Sequence, residues 1–265
     1  EMCIRDSGYC PDNASKTLEW AFQDWGASRM AARLGKRSEA RMFEKRSRAW
    51  TPLFNAEQGL VFPKKRNGKW LRQDGLSGSG WVEANSWQAT WSLSHELPKL
   101  VKMMGGADKF CEKLNFAFEQ AKDLDFVYAY SGGYVSYANQ PGCSNAHVFT
   151  YGGKPWLTQY WVRQVKERAY GGITPDKGYG GHDEDEGQMG GVSALMALGL
   201  FSVTGTESDT PYYDITSPIF DKITIKLNKN YYEGSTFTIT THNNSAENCY
   251  IQRAQLNNVE WNYVQ

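Results

Sequence analysis

Gly178-Tyr179-Gly180-Gly181-His182-Asp183-Glu184-Asp185-Glu186-Gly187-Gln188-Met189 joins a glycine hinge to four consecutive acids, and then to a run that reads as a helix from Gln188 to Leu200. That helix is rich in small residues: Gly190, Gly191, Ser193, Ala194, Ala197 and Gly199. A glycine inside a helix costs about 1 kcal/mol relative to alanine. Accepting that cost predicts close packing on several sides, as in an inner ring of helices. The acids have two readings. A helix N-terminus attracts carboxylates to its unsatisfied N–H groups. Alternatively, Asp183 and Asp185 fall on one side of an extended loop, where either could act as a general base on a water, whereas in a helix they would diverge. Spacing alone leaves both open.

Upstream of this stretch the pattern is helix, loop, helix, repeated. Asp12-Asn13 caps a helix from about Ala14 to Leu34, with Leu18, Phe22 and Trp25 as its apolar stripe and Ala32 resuming it after Arg29. Gly35 stops it, and a second helix from Arg37 to Ala49 is expected to turn Met42, Phe43 and Trp50 inward, giving an αα-hairpin. Asn67-Gly68, set in the basic run Lys64–Lys69, signals a tight turn in a solvated loop. From Glu83 a helical pattern runs through Trp91 and breaks near Pro98. Further helices are expected at about Lys99 to Met104, at Ala107 to Lys122 (Phe110, Leu114 and Phe118 inward), near Ser144 to Thr150, and from Pro155 with Leu157, Trp161 and Val165 inward. After Thr210 the period changes to two. Ile223, Ile225 and Leu227, then Phe237 and Ile239, then Tyr250 and Gln252 predict short antiparallel strands.

Composition narrows the function. The chain of 265 residues balances 29 basic against 29 acidic side chains, which argues against a nucleic-acid or membrane-surface partner. Its longest apolar run, Val192 to Val203, falls short of the roughly 20 residues of a spanning helix. The 10 Trp and 15 Tyr fit either a large aromatic core or the stacking of rings and sugars. Glu1-Met2-Cys3-Ile4-Arg5-Asp6-Ser7 reads as translated adapter sequence, to be set aside from fold reasoning. Cys10, Cys111, Cys143 and Cys249 lack metal or redox spacing, and Cys111 reads as a reduced core thiol.

Glu83, Trp87 and Trp91 recur at intervals of four, which predicts one stripe of a helix. A carboxyl against indole faces is kept protonated and can serve as a general acid; an acid at a helix start above core tryptophans is the plainer reading. His182, His95 and His147 lack zinc spacing and read as structural. Phosphate loops, nucleophile elbows and cysteine nucleophile contexts are absent from the sequence. Asn13-Ala14-Ser15 and Asn243-Asn244-Ser245 match the glycosylation acceptor pattern. Carboxyls on distant segments, aromatic loops and no cofactor motif together point to glycoside hydrolysis. An inverting enzyme sets its acid and base about 6.5–9.5 Å apart, leaving room for a water.

Glu83-Ala84-Asn85-Ser86-Trp87-Gln88-Ala89-Thr90-Trp91 resembles the Glu-Gly-Asn-x-Trp-Gln-Tyr-Thr-Trp segment of glycoside hydrolase family 92. Asn139-Gln140-Pro141, Lys154-Pro155-Trp156-Leu157-Thr158-Gln159, Asp183 to Met189, Ala197 to Phe201, Ser217 to Asp221, and Asn243-Asn244-Ser245 with Tyr250-Ile251-Gln252 follow that family's landmarks in order. The resemblance implies a calcium-dependent, inverting exo-α-mannosidase acting on α-mannoside glycans, secreted, periplasmic or at the cell surface. It implies a mainly α fold, with residues 8–205 forming the later helices of an (α/α)6 barrel and 206–265 a C-terminal β segment. The family's N-terminal β-sandwich would be missing, and the piece alone inactive. Carried over by position, Glu83 would be the acid and Asp183 or Asp185 the base. Trp87, Gln88, Trp91 and His182 would bind substrate, and Asn139 and Gln140 would hold Ca2+. Gln140 departs from the family's Glu, and Ala84, Ala89 and Glu186 from its Gly, Tyr and Asn. Mannosyl-phosphodiester hydrolysis and a non-catalytic sugar-binding relative are the alternatives.

Overall fold

The computed structural model describes residues 8–176, 184, 186–205 and 210–261. Residues 1–7, read as adapter sequence, lie outside them.

Helix α1 (Ala14–Arg33) starts where Asn13 accepts the Lys16 N–H at 2.9 Å. Its buried face runs through Ala14, Leu18, Ala21, Ser28 and Ala31. Ala32, expected to resume the stripe, is exposed; the inward position one turn past Ser28 falls on Ala31. Helix α2 (Arg37–Arg46) packs back on α1 as the expected hairpin, but it buries none of its own residues. Met42 therefore faces outward, and Trp50, just beyond the helix, is the fully buried anchor. Strands β1 (Phe54–Asn55) and β2 (Leu60–Val61) pair antiparallel with Phe54 opposite Val61. Asn67-Gly68 turns the chain as expected: the Lys65 N–H reaches the Lys69 carbonyl at 2.8 Å, and Lys64 bridges to Trp70.

Next come a single α-turn, α3 (Ser86–Ala89), and α4 (Leu97–Met103), in which Pro98 occupies the first turn instead of breaking the helix. Helix α5 (Ala107–Ala121) buries Phe110, Cys111, Leu114, Ala117, Phe118 and Ala121, the spacing of one helical face. Helix α6 (Pro155–Arg168) opens on its proline and sets Trp161 into the centre of the core. There the Trp161 indole donates to Asn115 at 2.8 Å, and its ring centroid lies 5.0 Å from that of Phe118. Burial raises the Cys111 thiol to about 11, as suits an inert core cysteine.

Helix α7 (Gln188–Leu198) is enclosed on one side only: Met189, Val192, Met196 and Ala197 are buried, while Ala194 is exposed and Gly191 faces open space. Among the described residues, then, the small-residue helix is not packed on several sides. It stops at Gly199, whose φ of +72° suits glycine and whose missing Cβ would stand 2.4 Å from the Thr216 carbonyl oxygen.

Strand β3 (Leu200–Phe201) pairs with β4 (Asp214–Ile215), and β5 (Lys222–Lys226) with β6 (Thr236–Thr240), setting Ile223 opposite Ile239 and Ile225 opposite Phe237. A last pair joins β7 (Gln255–Leu256) to β8 (Val259–Glu260). Tyr250 and Gln252, expected in a strand, lie outside these pairs. Two α6 side chains tie down the C-terminal residues: Gln159 Oε1 accepts the Ile251 N–H at 2.7 Å, and Arg163 makes several contacts. The buried Arg163 guanidinium donates to the Ser245 and Pro218 carbonyls at 3.0 and 2.7 Å, and to Ser217 Oγ and Asn244 Oδ1 at 2.9 and 2.8 Å. The described residues are thus mainly helical, with small antiparallel strand pairs and no helix long and apolar enough to cross a membrane.

Candidate active site

The helix expected from Glu83 begins three residues later. Glu83 has φ +50°, a left-handed conformation that an α-helix does not propagate, and Asn85 caps α3 by accepting the Gln88 N–H at 3.0 Å. Glu83, Trp87 and Trp91 consequently do not share a stripe. Glu83 stands exposed on a loop, and its Oε2 accepts from Asn139 Nδ2 at 2.8 Å. A non-glycine residue held at positive φ stores backbone strain, a feature that concentrates at functional positions.

The amides of the same motif serve the loop opposite. Asn85 Nδ2 donates to the carbonyls of Ser131 and Gly133 at 2.7 and 2.9 Å. Gln88 Nε2 donates to the carbonyls of Gly132 and, at 3.3 Å, Gly133. Gln88 is buried, so its amide grips the main chain of this loop and is not presented to a sugar. Trp91 is a second correction. It is fully enclosed, with its ring 5.3 Å from that of Phe110, and offers no face to a ligand. Trp87 is half-buried, with Tyr134 and Phe116 beside it at 5.0 and 5.7 Å and the Lys113 ammonium 4.3 Å from its ring centre. Of the indoles on this motif, it alone keeps a partly open surface.

The clamped loop continues to Asn139 and Gln140. Asn139 is buried and caps the short 3-10 turn Gln140–Gly142 by accepting the Gln140 N–H at 3.0 Å. Close approach fixes this corner, since a Cβ on Gly142 would lie 2.2 Å from the Ser136 carbonyl oxygen. Asn139 Oδ1 and the half-buried Gln140 amide are neutral oxygen donors, and the Glu83 carboxylate is one hydrogen bond away. An all-oxygen set suits a hard cation such as calcium in kind. No cluster of three or more His, Cys, Asp or Glu able to hold a metal occurs among the described residues. A cation here would thus be held by amide oxygens and by groups from elsewhere.

His182, Asp183 and Asp185 lie outside the described residues. Their neighbour Glu184 caps α7, its carboxylate accepting the Gly187 N–H and, at 2.9 Å, the Gly190 N–H. The helix-capping reading of the acids thus holds for Glu184, while Glu186 is exposed, at φ +57°. His95 and His147 are structural, as expected. His95 Nε2 meets the Ser47 carbonyl at 3.1 Å, and burial lowers its pKa. His147 is sealed in a flat stack on Phe201, 3.8 Å between ring centres, and burial pushes it down to about 3. Two features escaped the sequence reading: the amide clamp and the Arg163 tie. The Arg163 signal was there, in a cation beside Trp161 and Val162 on the inward side of α6.

The profile of the glycosyl hydrolase family 92 catalytic domain matches residues 3–265. The chain is 29% identical to the family GH92 inverting mannosidase BT2199 of Bacteroides thetaiotaomicron, covering 98% of this chain and 36% of that one, with a TM-score of 0.82. It is 25% identical to the GH92 α-mannosidase BT3965 of the same bacterium, solved with mannoimidazole, covering 97% of this chain and 35% of that one with the same TM-score. An uncharacterized secreted glycosidase of Arthroderma benhamiae is 26% identical over 96% of this chain and 34% of its own length. The chain spans about a third of the length of each of these relatives.

Proposed function

Because the chain belongs to glycosyl hydrolase family 92, we propose that the protein of which it forms part is an inverting exo-α-mannosidase, with Glu83 as its general acid. The observation that carries this reading is the Glu83 carboxyl itself, held open on a strained loop by a buried amide from the neighbouring loop. A side chain so held can reach the oxygen of a bound glycoside while its own geometry stays set. Glu83 protonates the departing oxygen as the bond to the anomeric carbon breaks. Water attacks the opposite face, giving its proton to Asp183 or Asp185, and the configuration inverts. Trp87 offers the apolar surface for a sugar face.

Calcium, when bound, would supply a hard positive centre for adjacent sugar hydroxyls, with Asn139 Oδ1 and Gln140 among its ligands. The helices would be the later part of an (α/α)6 barrel, and the mannosidase names of the structural relatives and the secreted name of the fungal one support a secreted enzyme acting on α-mannoside glycans. The test is the full-length protein with mannobioses and an aryl α-mannoside, with and without chelator. Release of mannose that persists unchanged after chelation would remove the calcium claim. Undiminished turnover by Glu83→Gln would remove the acid.

A further inference from the structure

Asn139 is buried to 5% exposure, yet both ends of its amide are engaged beside the open Glu83 carboxyl. Its Nδ2 donates to Glu83 Oε2 at 2.8 Å and lies 3.5 Å from the Glu83 carbonyl oxygen, while its Oδ1 accepts the Gln140 N–H at 3.0 Å. The amide has one workable orientation. Turned over, it would set an oxygen against the carboxylate and an NH2 against an N–H, so both contacts would become repulsive. Its position is equally fixed, because it caps the Gln140–Gly142 turn and Gly142 is wedged on the Ser136 carbonyl.

An NH2 group can only donate, so the oxygen facing it must accept in either protonation state of the acid. A carbonyl oxygen accepts better than an acid's hydroxyl oxygen, so this contact favours the proton of neutral Glu83 on Oε1. We propose that Asn139 is a positioning residue that makes Oε1 of Glu83 the atom delivering the proton to the leaving oxygen, an inference that rests on Glu83 being the acid. As the glycosidic bond breaks, its electron pair passes to the leaving oxygen, which takes the Oε1 proton. The attacking water gives its oxygen to the anomeric carbon and a proton to the base on the far side. Glu83 ends as a carboxylate with Oε2 still accepting from Asn139. The role differs from the metal-ligand role of Asn139 Oδ1 and can be separated from it.

The experiment compares Asn139→Asp and Asn139→Ala with the parent in the full-length protein, using aryl α-mannosides of graded leaving-group acidity and a calcium titration. Asn139→Asp keeps an Oδ1 to cap Gln140 and puts a carboxyl oxygen where the NH2 donor faced Glu83, whereas Asn139→Ala removes the donor without adding charge; Asn139→Asp is thus the variant that retains the turn. The expected result is a fall in kcat of about tenfold or more on poor leaving groups and less than threefold on a dinitrophenyl mannoside, with KM little changed. The calcium concentration for half-maximal binding, read by calorimetry, should rise by no more than threefold in Asn139→Asp, which keeps an Oδ1 and adds a negative charge. Equal losses on every leaving group, or a tenfold weaker calcium affinity with no leaving-group dependence, would overturn the proposal. Glu83→Gln is run alongside. If it too lacks leaving-group dependence, the acid assignment is what has failed; if it shows the dependence and the Asn139 variants do not, only the positioning role falls.

Discussion

Replacing Arg163 by Met keeps most of the volume in α6 and removes the guanidinium that ties the C-terminal residues to the helical body. The side chain is 4% exposed, and its short bonds go to Ser217, Pro218, Asn244 and Ser245. Hydrogen bonds to a charged donor contribute about 1.5–3 kcal/mol each. Their sum is not lost in full. Pro218 O keeps the Asn244 Nδ2 donor at 2.7 Å and Asn244 Oδ1 keeps the Ser217 hydroxyl at 3.0 Å, while the desolvation of the guanidinium is regained. The Ser245 carbonyl loses its charged partner. The net cost is then about 3–4 kcal/mol, and it falls on one segment, because Arg163 holds 217–245 and little of the chain before it. Urea unfolding of the full-length protein, paired with limited proteolysis, reads both aspects. Cleavage should move to the residues after Thr216 at urea concentrations where the helices remain protected. Arg163→Lys should recover little, since one ammonium cannot reach all these acceptors. A loss under about 1 kcal/mol, or cleavage spread evenly along the chain, would refute the reasoning.

Asp214 is partly buried with Oδ2 lacking a partner, and burial raises its carboxyl from 3.8 to about 6. The folded state thus holds this proton more tightly than the unfolded chain, so the group's stability contribution is full below about pH 4 and is lost as pH rises to about 6. Asp214→Asn should therefore stabilise the protein by up to ~3 kcal/mol above pH 6.5 and by nothing near pH 3.5, as read from paired melting curves. Gly142→Ala should cost at least ~2 kcal/mol and lower mannosidase turnover, because the new methyl meets the Ser136 carbonyl at 2.2 Å; an unchanged melting temperature would contradict that close approach. Glu83→Gln should cut kcat on mannobiose by about a hundredfold or more while sparing activated aryl mannosides, measured by released mannose.

The elements whose signals are local were legible in the sequence. Asn13 and Pro155 open α1 and α6 where their capping chemistry predicts, and the Phe110, Leu114 and Phe118 period describes the buried face of α5. Errors came where a local cue competed with another or with distant contacts. Asn85 out-competed the regular spacing of Glu83, Trp87 and Trp91, since a helix starts at its cap and not at its first periodic residue. The role of Gln88 depends on carbonyls 44 and 45 positions away, which no spacing rule encodes. Trp91 shares the composition of a sugar platform, and only its full enclosure distinguishes it from one. The family resemblance, by contrast, was legible from several motifs in order, because it uses residue identity directly.

The amide clamp has a bearing on how this site can change over generations. Asn85 and Gln88 grip carbonyl groups at 131–133, which every amino acid possesses, so the loop is held without reference to the side chains of Tyr130 and Ser131. Packing sets the limits instead: Ser131 Oγ and Cβ stand 2.6 and 2.9 Å from where a Cβ on Gly78 would lie, so size at 131 is constrained while the clamp itself is not tied to side-chain identity. Changes that keep this backbone path therefore leave the clamp, and the Asn139 contact with Glu83 beyond it, in place.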